Sequence, residues 1–300
     1  MNFQDIINSP LGIAIVLGLG KFIPPGIGYP LGKWLGRVIA SFSKNRMVQS
    51  VRANQWVVSG RRLNAEQLDE ITRKTFEHSG VCLYDFYHNL TRPQRILDMV
   101  SISPKLTQIL NDRLQGKQGT MIVVPHLSNF DLAGRAMALH GYSILTLSYP
   151  RPPGGYQWQN QMRQDFGIDI QPMSFESMRA ARERLKNHDL VLTGMDRPME
   201  SSNHQPRFFG HPAPVPVTYI NLAEQSGAAF LVVACRATSQ GKYVVECSDI
   251  IPFTAVQDTN QQYLVNAEKL LSEAEKMILR APEQWSMFYP VWQWALEKMP

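Results

Sequence analysis

The sequence predicts an α/β fold in which a central, largely parallel β-sheet is flanked by helices. Short apolar runs alternate with segments of helical periodicity, and this alternation is typical of parallel sheets whose strands are joined by helices. The 300 residues, 44% of them hydrophobic, are enough to bury the core that such a sheet requires. The apolar runs are "TMIVV" (120–124), "YSILTLSY" (142–149), "LVLTG" (190–194) and "AFLVVAC" (229–235).

Two helices are predicted before the first of these strands, at 46–58 and 65–88. Asn64 is placed to cap the second helix, and Gln67 completes a capping box three residues later. We expect the helices before residue 115 to pack around the sheet.

Further helices are predicted between and after the strands, at 129–140, 174–186, 216–225 and about 259–280. Ser174 is a suitable N-cap for the second of them. Gly141 and Gly227 follow the first and third, where glycine commonly ends a helix. The run "KYVVECSDII" (242–251) is expected to form a strand that pairs with a neighbour.

Residues 1–45 are predicted to form an N-terminal membrane-associating segment, and residues 46–300 the α/β domain. The first 50 residues contain five basic residues and one acidic residue, a balance that suits an anionic membrane surface. Leu11–Gly20 is apolar but shorter than the roughly 20 residues needed to span a bilayer. We therefore expect it to dip into the membrane, with a buried helix as the alternative.

The second half of this segment is predicted to be an amphipathic helix, Leu31–Lys44, that follows a break at "PPGIGYP" (24–30). At 100° per residue the apolar side chains gather on one side and the basic ones on the other, so the helix could lie in the headgroup plane. A helix docked on the protein, with solvated lysines, is the alternative. The apolar side contains Leu31, Trp34, Leu35, Val38 and Phe42, and the basic side Lys33, Arg37 and Lys44.

The composition argues against several classes of function. The three cysteines have no CxxC spacing, so we expect no disulfide framework and no metal site, and a reducing compartment. No RNA-reading motif and no basic, aromatic-rich strand is present, and a nucleic-acid partner is not expected.

The stretch "VVPHLSNFD" (123–131) is the candidate for chemistry. His126 follows an apolar strand by one proline, which places it at the carboxyl end of the sheet, where functional groups of open α/β proteins lie. Ser128 or Asn129 can cap the next helix, so Asp131 falls in its first turn. A carboxylate there could fold back on the imidazole, fix its tautomer and leave the other ring nitrogen free to take a proton.

No GxSxG motif provides a nucleophile in this chain. A base at His126 would therefore act on a hydroxyl group of a substrate, which is acyl transfer without an enzyme nucleophile. The alternative from spacing alone is structural, because an aspartate in the first turn of a helix is favoured by the helix dipole.

Several stretches, in order, resemble the bacterial lipid A biosynthesis acyltransferases, a group that includes the mycobacterial phosphatidylinositol mannoside acyltransferases. "PHLSNFD" has the HX4D pattern of glycerolipid acyltransferases. The stretches around it that carry the resemblance are 51–87, "YQWQNQMRQDFGIDI" (156–170), "LVLTGMDRP" (190–198), "PRFFGHPAPVP" (206–216) and "APEQWSMFYPVW" (281–292).

The resemblance implies roles for individual residues. His126 would be the general base and Asp131 its orienting carboxylate. Asp196 would be a second carboxylate partner, with Glu200 as its rival and a further candidate for substrate contact. The remaining candidates for substrate binding, or for structural pairing, are Asn129, Arg163, Arg197 and Arg207.

The expected function is transfer of a fatty acyl group from acyl-CoA or acyl carrier protein to a lipid hydroxyl, with no other cofactor. No phosphate-binding block like that of the glycerol-phosphate acyltransferases is present, which favours a glycolipid or another large lipid acceptor. Membrane lipids and the acyl donor are the expected partners, at the cytoplasmic face of the plasma (inner) membrane. A thioesterase and a non-catalytic, membrane-surface lipid-binding protein are the alternatives.

Overall fold

The computed structural model describes residues 22–150, 154–199 and 202–300. The predicted membrane-dipping stretch at 11–20 and the candidate Glu200 lie outside these residues. The helices that precede the central strands are α1 (Pro25–Ser41), α2 (Arg46–Val58), α3 (Ala65–Asn89), α4 (Pro93–Met99) and α5 (Pro104–Gln115).

Seven strands of the described residues form one sheet in the order β1-β9-β8-β2-β5-β3-β4. All neighbouring pairs are parallel except β8 with β9. The predicted α/β fold with a largely parallel sheet is therefore confirmed. The strands are β1 (Val100–Ile102), β2 (Thr120–Val124), β3 (Ile144–Ser148), β4 (Ile170–Pro172), β5 (Leu190–Gly194), β8 (Ala229–Ala237) and β9 (Tyr243–Cys247), with a separate hairpin of β6 (Arg207–Phe208) and β7 (His211–Pro212).

The helices predicted at 129–140, 174–186, 216–225 and about 259–280 lie close to those positions, whereas the helices at Gly154–Asp165 and Ala295–Lys298 were not predicted. Asn64 forms the predicted capping box with Gln67, Ser174 caps its helix, and Gly227 ends another with a φ of 71°. The helices that alternate with or follow the strands are α6 (Phe130–Leu139), α7 (Gly154–Asp165), α8 (Phe175–Lys186), α9 (Thr218–Ser226), α10 (Thr259–Leu279) and the short α11 (Ala295–Lys298), with a 3₁₀ turn at Pro282–Gln284.

The central strand β2 is buried on both faces, which is why it is a continuous apolar run. Ile122 is 1% exposed and packs on the face covered by α5 and α6. Its neighbour Val123 is 0% exposed and packs on the opposite face with residues of α8, α9 and α10. Successive side chains of a strand point to opposite faces, so the sheet separates two apolar cores.

Helix α1 differs from its prediction, because it begins at Pro25 and continues through Pro30 instead of starting at Leu31. Proline at the first helical position costs no hydrogen bond, so Pro25 can begin this helix. Its buried face consists of Gly28, Gly32 and Gly36, which pack against α3. Three residues of the predicted apolar side, Trp34, Leu35 and Phe42, are exposed. Among the described residues, no helix is both long and apolar enough to cross a membrane.

Candidate active site

The strand register brings His126 and Asp196 together at the carboxyl edge of the sheet. The last residues of β2 and β5, Val124 and Gly194, are paired across the parallel ladder. His126 and Asp196 each lie two residues beyond this pair. The backbone N–H of Met195 also donates to the carbonyl oxygen of Val124 at 3.0 Å, so the segments that follow β2 and β5 stay in contact past the strand ends.

The two side chains form a hydrogen-bonded pair. Nδ1 of His126 lies 2.6 Å from Oδ1 of Asp196, and the backbone N–H of His126 donates to Oδ2 at 2.8 Å. The Asp196 side chain is fully buried, whereas the imidazole is 27% exposed. An ionised carboxylate only accepts hydrogen bonds, so Nδ1 is the donor of this pair, and the tautomer that the pair favours for a neutral imidazole has its lone pair on Nε2.

The imidazole of His126 lines a cavity and packs against Gly194. A Cβ atom added to Gly194 would lie 3.1 Å from Cε1 of His126, so a glycine here allows the ring to approach the sheet. Phe130 contacts the ring edge to face, with centroids 5.2 Å apart. The free nitrogen of this histidine is thus the one available for proton transfer.

The predicted partnership of His126 with Asp131 is wrong, because Asp196 holds Nδ1. Asp131 lies in the first turn of α6, as expected, but it pairs with Arg163 of α7: Nε and Nη2 of the guanidinium donate to its two oxygens at 2.9 and 3.0 Å. Arg163 is 7% exposed, and a buried guanidinium requires a carboxylate partner. This demand decides where the Asp131 side chain points.

Two other predicted substrate-binding residues lie away from the imidazole or have structural partners. Asn129 is buried, caps α6 through Leu132 and donates to the carbonyl oxygen of Cys82 at 2.9 Å. Arg207 is itself exposed, in the hairpin of β6 and β7, and is not among the cavity-lining residues. Glu200 lies outside the described residues.

Arg197 follows Asp196 directly and lines the same cavity as His126. Its guanidinium lies between the rings of Tyr149 and Tyr289, 4.2 Å from each centroid. Stacking on aromatic faces fixes a guanidinium in place while its N–H groups point outward from its edge. The residue is therefore a preorganised cation at the cavity.

The cavity, of about 230 Å³, lies between α6 and the sheet. Its lining follows β3 from Ile144 to Ser148 and α6 from Phe130 to Ala138. At 3.3 Å per strand residue and 1.5 Å per helical residue, either path is about 12–13 Å long. The walls between the polar groups are mainly apolar, and they include Met137, Ile168 and Leu192.

A second histidine, His78, contacts the loop 125–129 that carries His126, and the sequence predicted no role for it. Nε2 of His78 is 2.9 Å from Oγ of Ser128 and 3.3 Å from Sγ of Cys82. Burial lowers the pKa of His78 from 6.5 to about 4. Ser128 has a positive φ of 53°, a conformation that needs such support in a residue other than glycine. The contact with Ser128 does not follow from sequence spacing, because the two residues are 50 positions apart. Cys82, by contrast, lies four positions from His78 on the same helix, where side chains are neighbours.

Trp285 is the other site residue that sequence reasoning missed. Its indole N–H donates to Oδ2 of Asp196 at 2.7 Å. The tryptophan belongs to the stretch "APEQW" that carried part of the family resemblance, and this was the available signal. A residue 89 positions from its partner cannot be assigned a contact from the sequence alone.

Comparisons with known proteins agree with the resemblance. The family model described as "Bacterial lipid A biosynthesis acyltransferase" matches residues 6–294. A "Phosphatidylinositol mannoside acyltransferase" of Mycobacterium tuberculosis (strain ATCC 25618 / H37Rv) is 26% identical over 190 residues, 61% of this chain and 57% of the relative. The protein of the same description from Mycolicibacterium smegmatis is 23% identical over 187 residues, 60% of this chain and 58% of the relative. The chain thus spans less than two thirds of the length of these relatives.

Proposed function

The chain belongs to the bacterial lipid A biosynthesis acyltransferase family, and from this premise we propose that it transfers a fatty acyl group from an acyl thioester to a lipid hydroxyl. The donor would be acyl-CoA or acyl carrier protein, and the acceptor a glycolipid or phospholipid. One observation carries the proposal: a fully buried carboxylate holds Nδ1 of His126 while the other ring nitrogen is left for a substrate in an apolar cavity.

The proposed reaction needs no covalent enzyme intermediate. Nε2 of His126 takes the proton of the acceptor hydroxyl as its oxygen attacks the thioester carbonyl carbon. The tetrahedral intermediate collapses, the C–S bond breaks, and the imidazolium returns the proton to the leaving thiolate. Asp196 keeps the ring in the required tautomer and stabilises the imidazolium that forms.

The acyl chain of the donor would occupy the cavity between α6 and the sheet. A length of about 12–13 Å is close to half of the roughly 30 Å hydrocarbon core of a bilayer, which is the depth filled by one lipid chain. The apolar walls favour a hydrocarbon chain because each buried methylene contributes about 0.8 kcal/mol.

Arg197 would contact an anionic group of one substrate. Both acyl-CoA and acyl carrier protein carry a phosphate at the end of the pantetheine arm opposite to the thioester, and phospholipids carry a phosphodiester. A guanidinium is well suited to phosphate because its N–H groups match two oxygens at once. The aromatic rings on either side reduce the entropy lost when it binds.

We also place the protein at a membrane surface, at its cytoplasmic side. The exposed side chains of α1 include the apolar Ile27, Trp34 and Leu35 and the basic Lys33, a combination that favours an anionic interface. The three cysteines are free thiols, which supports a reducing compartment.

The test of the chemistry compares His126→Ala with His140→Ala, a control at an exposed position at the end of α6. Acyl-CoA and acyl carrier protein donors are supplied with extracted membrane lipids, and mass spectrometry identifies any lipid that gains one acyl chain. Loss of the general base should lower the transfer rate by about 10²–10⁴, whereas the control should match the wild type. Transfer at the wild-type rate by His126→Ala would refute the proposed mechanism.

Thiol release in the same assay separates the alternatives. Release that does not depend on acceptor lipid would indicate a thioesterase. Absence of both release and lipid acylation, with lipid binding retained, would indicate a non-catalytic lipid-binding protein.

The membrane face is tested by sedimentation with anionic and neutral vesicles. Trp34→Ser should weaken binding to anionic vesicles, and Leu114→Ser, a control at an exposed apolar residue of α5, should not. Equal binding by the two variants would contradict the assignment of α1 as the membrane face.

A further inference from the structure

The segment 282–286, here called the C-terminal strap, lies against the loop 125–129 that carries His126. The backbone N–H of Ser286 donates to the carbonyl oxygen of His126 at 2.9 Å, and that of Ser128 donates to the carbonyl oxygen of Gln284 at 2.7 Å. These two bonds hold His126 and Ser128, the residues on either side of Leu127. The strap therefore fixes the backbone from which the imidazole projects.

The strap is itself anchored to two other elements. The side-chain amide of Gln284 accepts from the backbone N–H of Ala237 at 2.8 Å and donates to the carbonyl oxygen of the same residue at 3.2 Å, at the end of β8. Gln55 of α2 donates to the carbonyl oxygen of Pro282 at 2.6 Å. Such anchors keep the strap rigid relative to the sheet.

Trp285 extends from this rigid strap to the carboxylate of Asp196, which with His126 is here called the dyad. Oδ2 of Asp196 accepts from the indole N–H at 2.7 Å and from the backbone N–H of His126 at 2.8 Å, while Oδ1 faces the imidazole. Asp196 and Trp285 are 0% and 1% exposed, so water does not replace a donor that is lost. Among the described residues, no lysine or arginine forms an ion pair with this carboxylate, so neutral N–H donors and the imidazole must stabilise its charge.

We propose that Trp285 is a positioning residue of the acyl transfer: its indole N–H holds the Asp196 carboxylate in the orientation that directs His126 at the substrate. The inference rests on the proposed function. Without the indole, Oδ2 keeps a single donor and the carboxylate can rotate away from Nδ1. The loss should then appear in the chemical step and not in substrate binding, because the indole does not line the cavity.

The test compares Trp285→Phe with Trp292→Phe. The two indoles are matched, since both are 1% exposed and their rings lie 6.4 Å apart in the same aromatic cluster. Nε1 of Trp292, however, has no hydrogen-bond partner in the described part of the chain. Each substitution removes the same ring volume, but only one removes a donor to Asp196.

Trp285→Phe should lower kcat about 10- to 100-fold, the effect of losing a hydrogen bond to a charged acceptor, with KM for donor and acceptor within about twofold of the wild type. Trp292→Phe should keep kcat within about twofold. Similar kcat values for the two variants, whether both high or both low, would overturn the proposal. If that happened while the wild type transferred acyl groups and His126→Ala did not, the proposed function would still hold and only the role of Trp285 would be refuted.

A second measurement does not depend on activity or on the stability of the tryptophan variants. In ¹⁵N NMR spectra, Asp196→Asn should shift the indole N–H resonance of Trp285 and leave that of Trp292 in place. An unchanged Trp285 resonance would also overturn the proposal. Because this readout needs no turnover, it tests the strap even if the wild type transferred no acyl group.

Discussion

The width of the cavity at Gly134 should set the length of the acyl chain that the protein accepts. Gly134 lies in α6, lines the cavity, and is about 6 Å along the helix from Phe130. A Cβ atom placed on it would meet only Ile168, whose Cδ1 lies at 3.7 Å, an ordinary van der Waals contact. A larger side chain at this position therefore enters the space of the substrate and not that of the protein.

Leucine at this position adds four carbon atoms to the cavity wall. If these displace about four methylenes of a bound chain, at about 0.8 kcal/mol each, Gly134→Leu loses about 3 kcal/mol with long donors. This corresponds to a fall of roughly 200-fold in kcat/KM. Donors too short to reach Gly134 should react as they do with the wild type.

The assay measures kcat/KM for a series of saturated acyl thioesters of increasing length, with one acceptor lipid. We expect Gly134→Leu to prefer chains about four carbons shorter than the wild type does. Gly134→Ala, the control, should shift the preference by about one carbon and stabilise the fold by about 1 kcal/mol through helix propensity. An unchanged length profile in folded Gly134→Leu, or an equal fall for all lengths, would refute the assignment of this cavity to the acyl chain.

Three further predictions concern the site and its supports. Gly194→Ala should push the imidazole of His126 by a few tenths of an ångström and lower kcat about tenfold at unchanged KM; steady-state kinetics with wild-type values would contradict it. Gly80→Ala would place Cβ 2.1 Å from the carbonyl oxygen of Gly32 and should destabilise the α1–α3 contact by about 1–3 kcal/mol or more, seen in thermal unfolding and in faster proteolysis of α1. In the folded state His78 stays neutral down to about pH 4, whereas in the unfolded state it takes up a proton below about pH 6.5. The free energy of unfolding should therefore fall by about 3 kcal/mol as the pH drops from about 6.5 to about 4. Urea unfolding at several pH values should show this decrease in the wild type, and His78→Gln should lack it.

Much of the fold follows from periodicity and from local hydrogen bonding. The strands β2, β3, β5 and β8 were predicted because each has at least five residues and lies within the sheet with helices on its faces, so its sequence is a largely apolar run. β1 and β4 have three residues each, too few to show any alternation, and pairing with a neighbour alone makes them strands. Caps such as Asn64 and Ser174 were predicted correctly because they act within three residues of themselves.

The N-terminal helix shows what side-chain patterning leaves out. The apolar side chains of Leu31–Lys44 predicted a side that faces the membrane, with a helix docked on the protein as the alternative, but the pattern gave no sign that α1 docks through its glycines. Glycine carries no hydrophobic signal, yet it allows two helix backbones to approach closely, as Gly32 and Gly80 do. Whether the exposed apolar residues contact a bilayer stays a prediction.

The sequence by itself determined that a histidine follows a central strand, that a helix starts just after it, and which family the chain resembles. These features depend on neighbours a few residues apart. The choice of Asp196 over Asp131 as the partner of His126 was made by the tertiary structure, because the register of β2 with β5 brings one carboxylate to the ring and a buried guanidinium draws the other away. Trp285 likewise reaches the dyad only once the chain has folded, since no local pattern can specify a hydrogen bond between residues 89 positions apart.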